Sequence, residues 1–202
     1  MSDFFRKNKT VIVLLAIFAI LGILVSYFVG CYNGFVQSQE QATTELSNLQ
    51  TQYQRRADMM PQLAKIVKAY AKHEKETFEA VSKARASVSQ IKLDANDLTP
   101  EKLQRYSAAQ GELSSAFSRL MVVAEKYPEL KASENFRSLQ VQEEGTENRI
   151  SEARRKYNDA VQDYNLKVRE MPGALVARIF NFQVMPKFEA ATGAEKAPDL
   201  DI

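Results

Sequence analysis

Apolar residues follow two patterns along this chain. From Val11 to Gly30 the run VIVLLAIFAILGILVSYFVG carries no charge and reaches the ~20 residues that cover a bilayer hydrocarbon core. Val11, Leu14, Phe18, Leu21, Leu24 and Phe28 mark its length. Beyond it, apolar side chains recur at the three- and four-residue steps of a helix face. Leu46, Leu49, Tyr53, Met60, Leu63, Val67 and Tyr70 form one such stripe, continued by Phe78, Val81, Ala84, Val88 and Ile91. Leu103, Tyr106, Leu113, Phe117, Leu120 and Ala124 form a second, and Ile150, Ala153, Tyr157, Val161, Tyr164 and Val168 a third. No segment alternates with the two-residue period of a strand. The expected fold is therefore all-α: an N-terminal transmembrane helix followed by an antiparallel up-and-down bundle of long helices.

Helix-stop signals set the expected boundaries. Pro61 lacks an amide hydrogen and crowds the preceding turn, so a kink or break is expected near Asp58–Met60. In LDANDLTPEK, residues 93–102, Thr99 suits a cap, Pro100 the first helical position and Glu101 the positive helix end. Tyr127-Pro128 stops the second helix, Ser133 caps a third that runs to about Glu170, and Ala174–Phe180 forms a short apolar helix. The polar stretch 34–54 reads as a helix continuing outward, or as a flexible tether if its composition prevails. The expected division is a short cytoplasmic N-terminus at 1–10, a transmembrane anchor at 11–30, a helical stalk at 31–57, a bundle at 58–188 and a flexible tail at 189–202. At 1.5 Å per residue a Leu46–Ile91 helix would span roughly 70 Å and its Glu101–Lys126 neighbour roughly 40 Å. The uncovered part of the stripe then needs the third helix, the C-terminal segment or another copy of the chain, which motivates an expectation of homo-oligomers.

Charge adds orientation. The chain has 27 basic and 25 acidic residues, with no basic excess to point to nucleic acid. Arg6, Lys7 and Lys9 precede the apolar run, and no lysine or arginine follows it until Arg55. The positive-inside rule places the N-terminus in the cytoplasm and the body on the periplasmic or equivalent side. The single cysteine, Cys31, follows Phe28-Val29-Gly30. It leaves a second reading open, a cleaved lipoprotein signal with Cys31 as the lipidated residue, although the apolar run exceeds the length usual for a cleaved signal.

Candidate chemistry is sparse. The one histidine, His73, has neighbouring carboxylates that diverge around a helix, whereas a metal site needs three or four converging ligands. Nucleophile elbows and phosphate-binding glycine loops are missing. No catalysis, cofactor or small-molecule substrate is expected. Arg56 falls on the heptad row of Leu49 and Leu63, so it is either part of a polar helix end or the centre of a buried network with Glu143, Glu147 or Asn148. Tyr157 and Tyr164 lie one heptad apart, as do Asn158 and Asn165. They read either as satisfied polar groups within the bundle or as a face for another protein. Gly145 reads as a point of close approach, where leucine would cost far more than helix propensity predicts.

Several stretches resemble the LemA family: Tyr32-Asn33, QYQRRADMMPQLAKIVKAYAKHE from Gln52, LMVVAEKYPELKASENFRSLQ from Leu120, EGTENRISEARRKYNDAVQDYN from Glu144, and MPGALVARIFNFQ from Met171. The resemblance covers nearly all of the chain from the anchor to Phe188. Leu46 stands where the family often has tryptophan, and Glu144 where it often has leucine. The resemblance implies a membrane-anchored helical bundle of undefined molecular function and brings no catalytic residues. The combined expectation is a single-pass protein of the bacterial inner membrane, a scaffold or adaptor that holds an envelope protein partner or its own copies at the membrane surface. An accessory factor in membrane-protein quality control or envelope stress is the alternative.

Overall fold

A computed structural model of the chain describes residues 9–189; the expected cytoplasmic start and C-terminal tail fall mainly on residues 1–8 and 190–202, outside the described part. All regular structure among the described residues is helical. Helix α1 runs Lys9–Tyr70, α2 Lys75–Ser89, α3 Pro100–Glu125, α4 Pro128–Ala132, α5 Glu134–Arg169 and α6 Gly173–Ile179, with one 3-10 turn at Ala95–Asp97. Two compact units emerge. The first joins the chain up to Glu40 with Asp163–Val184, and the second joins Gln41–Gln162 with the chain from Met185 onward.

The first long helix stops where no proline stands. Pro61 lies inside α1, and the break comes ten residues later, at the Ala71–Glu74 turn. The Leu46–Ile91 stripe, which reads as one long helix or two in line, is two helices, and α2 packs against α3. The uncovered length inferred from a single rod does not arise. His73 sits in this turn, exposed to solvent, instead of on a helix. Thr99 caps α3 as its sequence demands, its side chain accepting a hydrogen bond from Lys102 N at 3.2 Å. Ser133 lies between α4 and α5, where its carbonyl accepts from Arg137 N at 3.1 Å.

In the second unit α1, α3 and α5 meet around Tyr53. Its ring lies edge-on to Tyr106 of α3, with centroids 5.3 Å apart, and its hydroxyl accepts from Arg154 Nη2 of α5 at 2.8 Å. Leu49, Leu63, Val67, Leu113, Leu120 and Ile150 are buried with them. The polar stretch after the apolar run also belongs to α1 and is not a bare tether: Ala42 of the second unit is buried, as are Phe35 and Ser38 of the first. The Ser38 hydroxyl donates back to Gly34 O at 2.7 Å, which removes its own polar group from consideration as a site.

In the first unit Phe35 is the pivot. Phe182 lies edge-on to it at 5.2 Å and to Tyr32 at 5.5 Å, and Phe180 lies edge-on to Tyr32 at 5.0 Å. These rings dock the segment after α6 onto α1. Gly173 makes the approach feasible, because a Cβ there would stand 2.8 Å from the Lys167 carbonyl oxygen and 3.3 Å from the Phe35 ring. Gly145 is the reverse of what its position in the sequence indicated: nothing lies within 4 Å of a Cβ built there. Gly145→Ala should therefore stabilise the protein by up to about 1 kcal/mol through helix propensity. Gly173→Ala should destabilise it by about 1–3 kcal/mol through overpacking. Thermal unfolding of the two detergent-solubilised variants decides the matter, and equal shifts would contradict the packing described.

Candidate functional site

Two polar constellations survive inside the second unit. The first is built on Arg56, only 4% exposed. α1 carries it inward on the row of Leu49 and Leu63, so its guanidinium has to be answered from α3 and α5. Nε donates to Glu143 Oε1 at 3.2 Å, Nη2 donates to Ser114 Oγ, and the same nitrogen stands 2.6 Å from Glu147 Oε1. Glu143 is as buried as Arg56, whereas Glu147 reaches the surface. Asn148, grouped with them on sequence grounds, is exposed; one helical step past Glu147 turns it away from the interior. Ser114 was not foreseen, since a serine among the small residues of α3 carries no local signal of a partner 58 residues away.

Burial pushes the Glu143 carboxyl above the ordinary value of 4.5; the Arg56 charge pulls it down, and the Glu147 charge raises it again. A raised folded-state value means that the proton on Glu143 favours the native state. That contribution is fully present below pH 4.5 and is lost as pH rises through the raised value. The Arg56 charge is what favours the ionised form of Glu143 against burial. Burial likewise raises the Tyr53 hydroxyl, against the opposing Arg154 charge, and pushes Tyr106 up to about 12.

The second constellation answers what the YNDAVQDYN motif does. Tyr157 is fully buried, and its hydroxyl donates to Pro186 O at 2.8 Å. Asn158 forms a reciprocal pair with Phe188, donating from Nδ2 to its carbonyl and accepting from its amide, both at 2.9 Å. The Phe188 ring lies edge-on to Tyr157 at 5.4 Å with the Arg154 guanidinium 6.0 Å from its centroid. In the first unit Tyr164 is buried and donates to Gln183 O at 2.8 Å, and Asn165 is half-exposed and engaged in the fold. The interaction face drawn from Tyr157, Asn158, Tyr164 and Asn165 is corrected accordingly. The side chains of Tyr157, Asn158 and Tyr164 grip the chain's own C-terminal segment, and both tyrosines are buried.

The remaining candidates lie in the first unit. Val11, Leu14, Phe18, Leu21 and Leu24 are exposed around α1, with Phe28 partly covered. The segment beginning at Val11 is long and apolar enough to cross a membrane, and none of its most apolar window is buried. Cys31 is a free, half-buried cysteine within α1. Among the described residues no group of three or more histidine, cysteine or carboxylate side chains converges to hold a metal ion.

A model described as LemA family matches residues 45–201. The chain is also similar to magnetosome protein MamQ of Magnetospirillum gryphiswaldense, 25% identical over 174 residues, and to magnetosome proteins MamQ 1 and MamQ 2 of Paramagnetospirillum magneticum, each 26% identical over 175 residues. Each alignment covers 78% of this chain and 64% of the relative, so the chain spans a little under two thirds of the curated relatives it matches.

Removing one partner of a buried pair typically costs about 3–5 kcal/mol. Arg56→Met should destabilise the protein by this order at pH 7, and the loss should shrink as pH falls through the raised value of Glu143, above 4.5, where its carboxyl takes up a proton. The double variant Arg56→Met/Glu143→Leu should recover most of the loss. Chemical denaturation at pH 7 and below that raised value measures both, and a single variant more stable than the parent would show that the pair does not hold the helices. Tyr157→Phe should cost about 1 kcal/mol by deleting the bond to Pro186, read as faster amide exchange in residues 185–189.

Proposed function

The chain belongs to the LemA family, and from that membership we propose that it is a membrane-anchored helical scaffold or adaptor, holding a protein partner or its own copies at the bilayer surface. The observation that carries this reading is the change of character along α1. From Val11 to Tyr27 its apolar residues stand exposed on all sides, Phe28 and Cys31 are partly covered, and from Phe35 onward they are buried on one stripe at three- and four-residue steps. The first pattern suits hydrocarbon and the second suits a bundle in water.

The proposed placement is a single pass through the bacterial inner membrane, with the N-terminus cytoplasmic and the body on the periplasmic side. Arg6, Lys7 and Lys9 before the run, against no basic residue between Lys9 and Arg55, support it. A non-enzymatic role is part of the same proposal: Arg56, Glu143, Tyr53, Tyr157 and Asn158 are all engaged with other helices or with the C-terminal segment. Partner contact then falls to exposed apolar positions of the second unit, among them Val122 of α3 and Val141 of α5.

A photoreactive residue at Val122 or Val141, activated in living cells, should yield one defined product, either chain plus partner or a multiple of the chain's own mass. A broad ladder would favour client binding in quality control, and no product from either site would remove the adaptor reading. With Cys31→Ser and Val141→Cys, a membrane-impermeant maleimide should label intact spheroplasts. Labelling only after lysis would reverse the proposed orientation.

A further inference from the structure

Within the first unit, one apolar surface is left largely bare by the described residues. Met171, Leu175 and Ile179 follow one another at four-residue steps and are 70%, 53% and 65% exposed. Phe180 adds a ring that is 48% exposed and rests against Tyr32. The opposite side of α6, Gly173, Val176 and Ala177, is buried. A seven-residue helix with one face packed and the other bare does not leave leucine and isoleucine in water without cost. At about 25 cal/mol per Å² of apolar surface, such a stripe marks an interaction site.

What covers it follows from where it sits. Phe180 lines a groove of about 510 Å³ together with Leu21, Leu24, Val25, Phe28 and Tyr32 of α1. Phe180 thus joins the stripe to the charge-free run alongside its final turns. If that run spans the bilayer, the exposed side of α6 is held at the level where hydrocarbon meets headgroups. Its surroundings carry the matching charge. Lys167, Arg169 and Arg178 flank the stripe against the single acid Glu170, and all three bases are exposed. An apolar face bordered by basic residues is the pattern of a helix lying in a membrane interface.

Resting on the membrane-anchored reading above, we infer that α6 is a second membrane contact: Met171, Leu175, Ile179 and Phe180 insert into the outer boundary of the bilayer beside α1, with Lys167, Arg169 and Arg178 against anionic phospholipid headgroups. The partner is lipid, and the groove between Phe180 and the α1 side chains takes an acyl chain. The aromatic contacts of Phe180 and Phe182 with α1 hold the helix at that depth. Gly173 lets it come close enough.

The chain contains no tryptophan, so one introduced indole reports alone. Ile179→Trp, Leu175→Trp, Phe18→Trp and Val141→Trp variants of the full chain would be reconstituted into vesicles of phosphatidylethanolamine and phosphatidylglycerol carrying bromine near the headgroup or deep in the acyl chain. The inference expects Trp emission at positions 179 and 175 to be blue-shifted and quenched severalfold more by shallow bromine than emission at 141. It also expects this quenching to weaken when phosphatidylcholine replaces phosphatidylglycerol. Quenching by deep bromine at position 18 with none at 179 or 175 would overturn the second contact and leave the anchor standing. No quenching at position 18 would instead overturn the anchor. A blue shift at 179 without quenching, with crosslinking to another copy, would assign the stripe to self-association and defeat the lipid proposal. Equal quenching in the two lipid mixtures would remove the headgroup contact.

Discussion

A guanidinium taken out of water must be met by charge and hydrogen-bond acceptors in fixed positions, or the cost exceeds what a small bundle's stability can absorb. Arg56 imposes that condition where α1, α3 and α5 meet. Ser114 and Glu143 satisfy it only when each helix stands at one rotation and one height. Apolar stripes alone leave neighbouring helices free to slide by a turn at modest cost, whereas a buried arginine does not. The Tyr53 hydroxyl with Arg154 repeats the constraint one turn away on α1.

The same helix carries two patterns of apolar side chains. Its first part is apolar all round and its later part is apolar on one stripe, and the transition at Gly34–Phe35 is made without a break in hydrogen bonding. Ser38 is buried at that transition and satisfies its hydroxyl within its own turn. It can therefore occupy the stripe at low cost. The aromatic cluster of Tyr32, Phe35, Phe180 and Phe182 begins here too. The family match starts at residue 45, so this collar of rings precedes the matched region on α1 and falls within it on the C-terminal side.

Periodicity showed the helical class and most inner residues of the long helices, and capping chemistry showed Thr99; spacing put Arg56 on the inner row but left its burial open, and it put Tyr70 inside although that side chain is exposed. It misplaced the end of α1. Proline is tolerated at Pro61, which is itself exposed, while the Ala71–Glu74 turn has no strong breaker and is fixed by the packing of α2 on α3. Gly145 lies inside α5 and Gly173 opens α6, and the local sequence of neither tells what passes beside it. The partners of Tyr157, Asn158 and Tyr164 lie 19 to 30 residues away in a segment without regular structure. Their number and type signalled a demanding contact, yet nothing in the spacing said that the other side was the chain itself.

That contact has one further property. The helix side chains of Tyr157, Asn158 and Tyr164 bind main-chain atoms of Pro186, Phe188 and Gln183, and a main chain presents the same carbonyls whatever residue bears them. Of these three positions only 188 also contributes a packed ring. The tail is thus addressed by its trace through space more than by its letters. Drift at 183 would leave the fastening intact, while a change in the number of residues between 183 and 188 would move every acceptor off its donor.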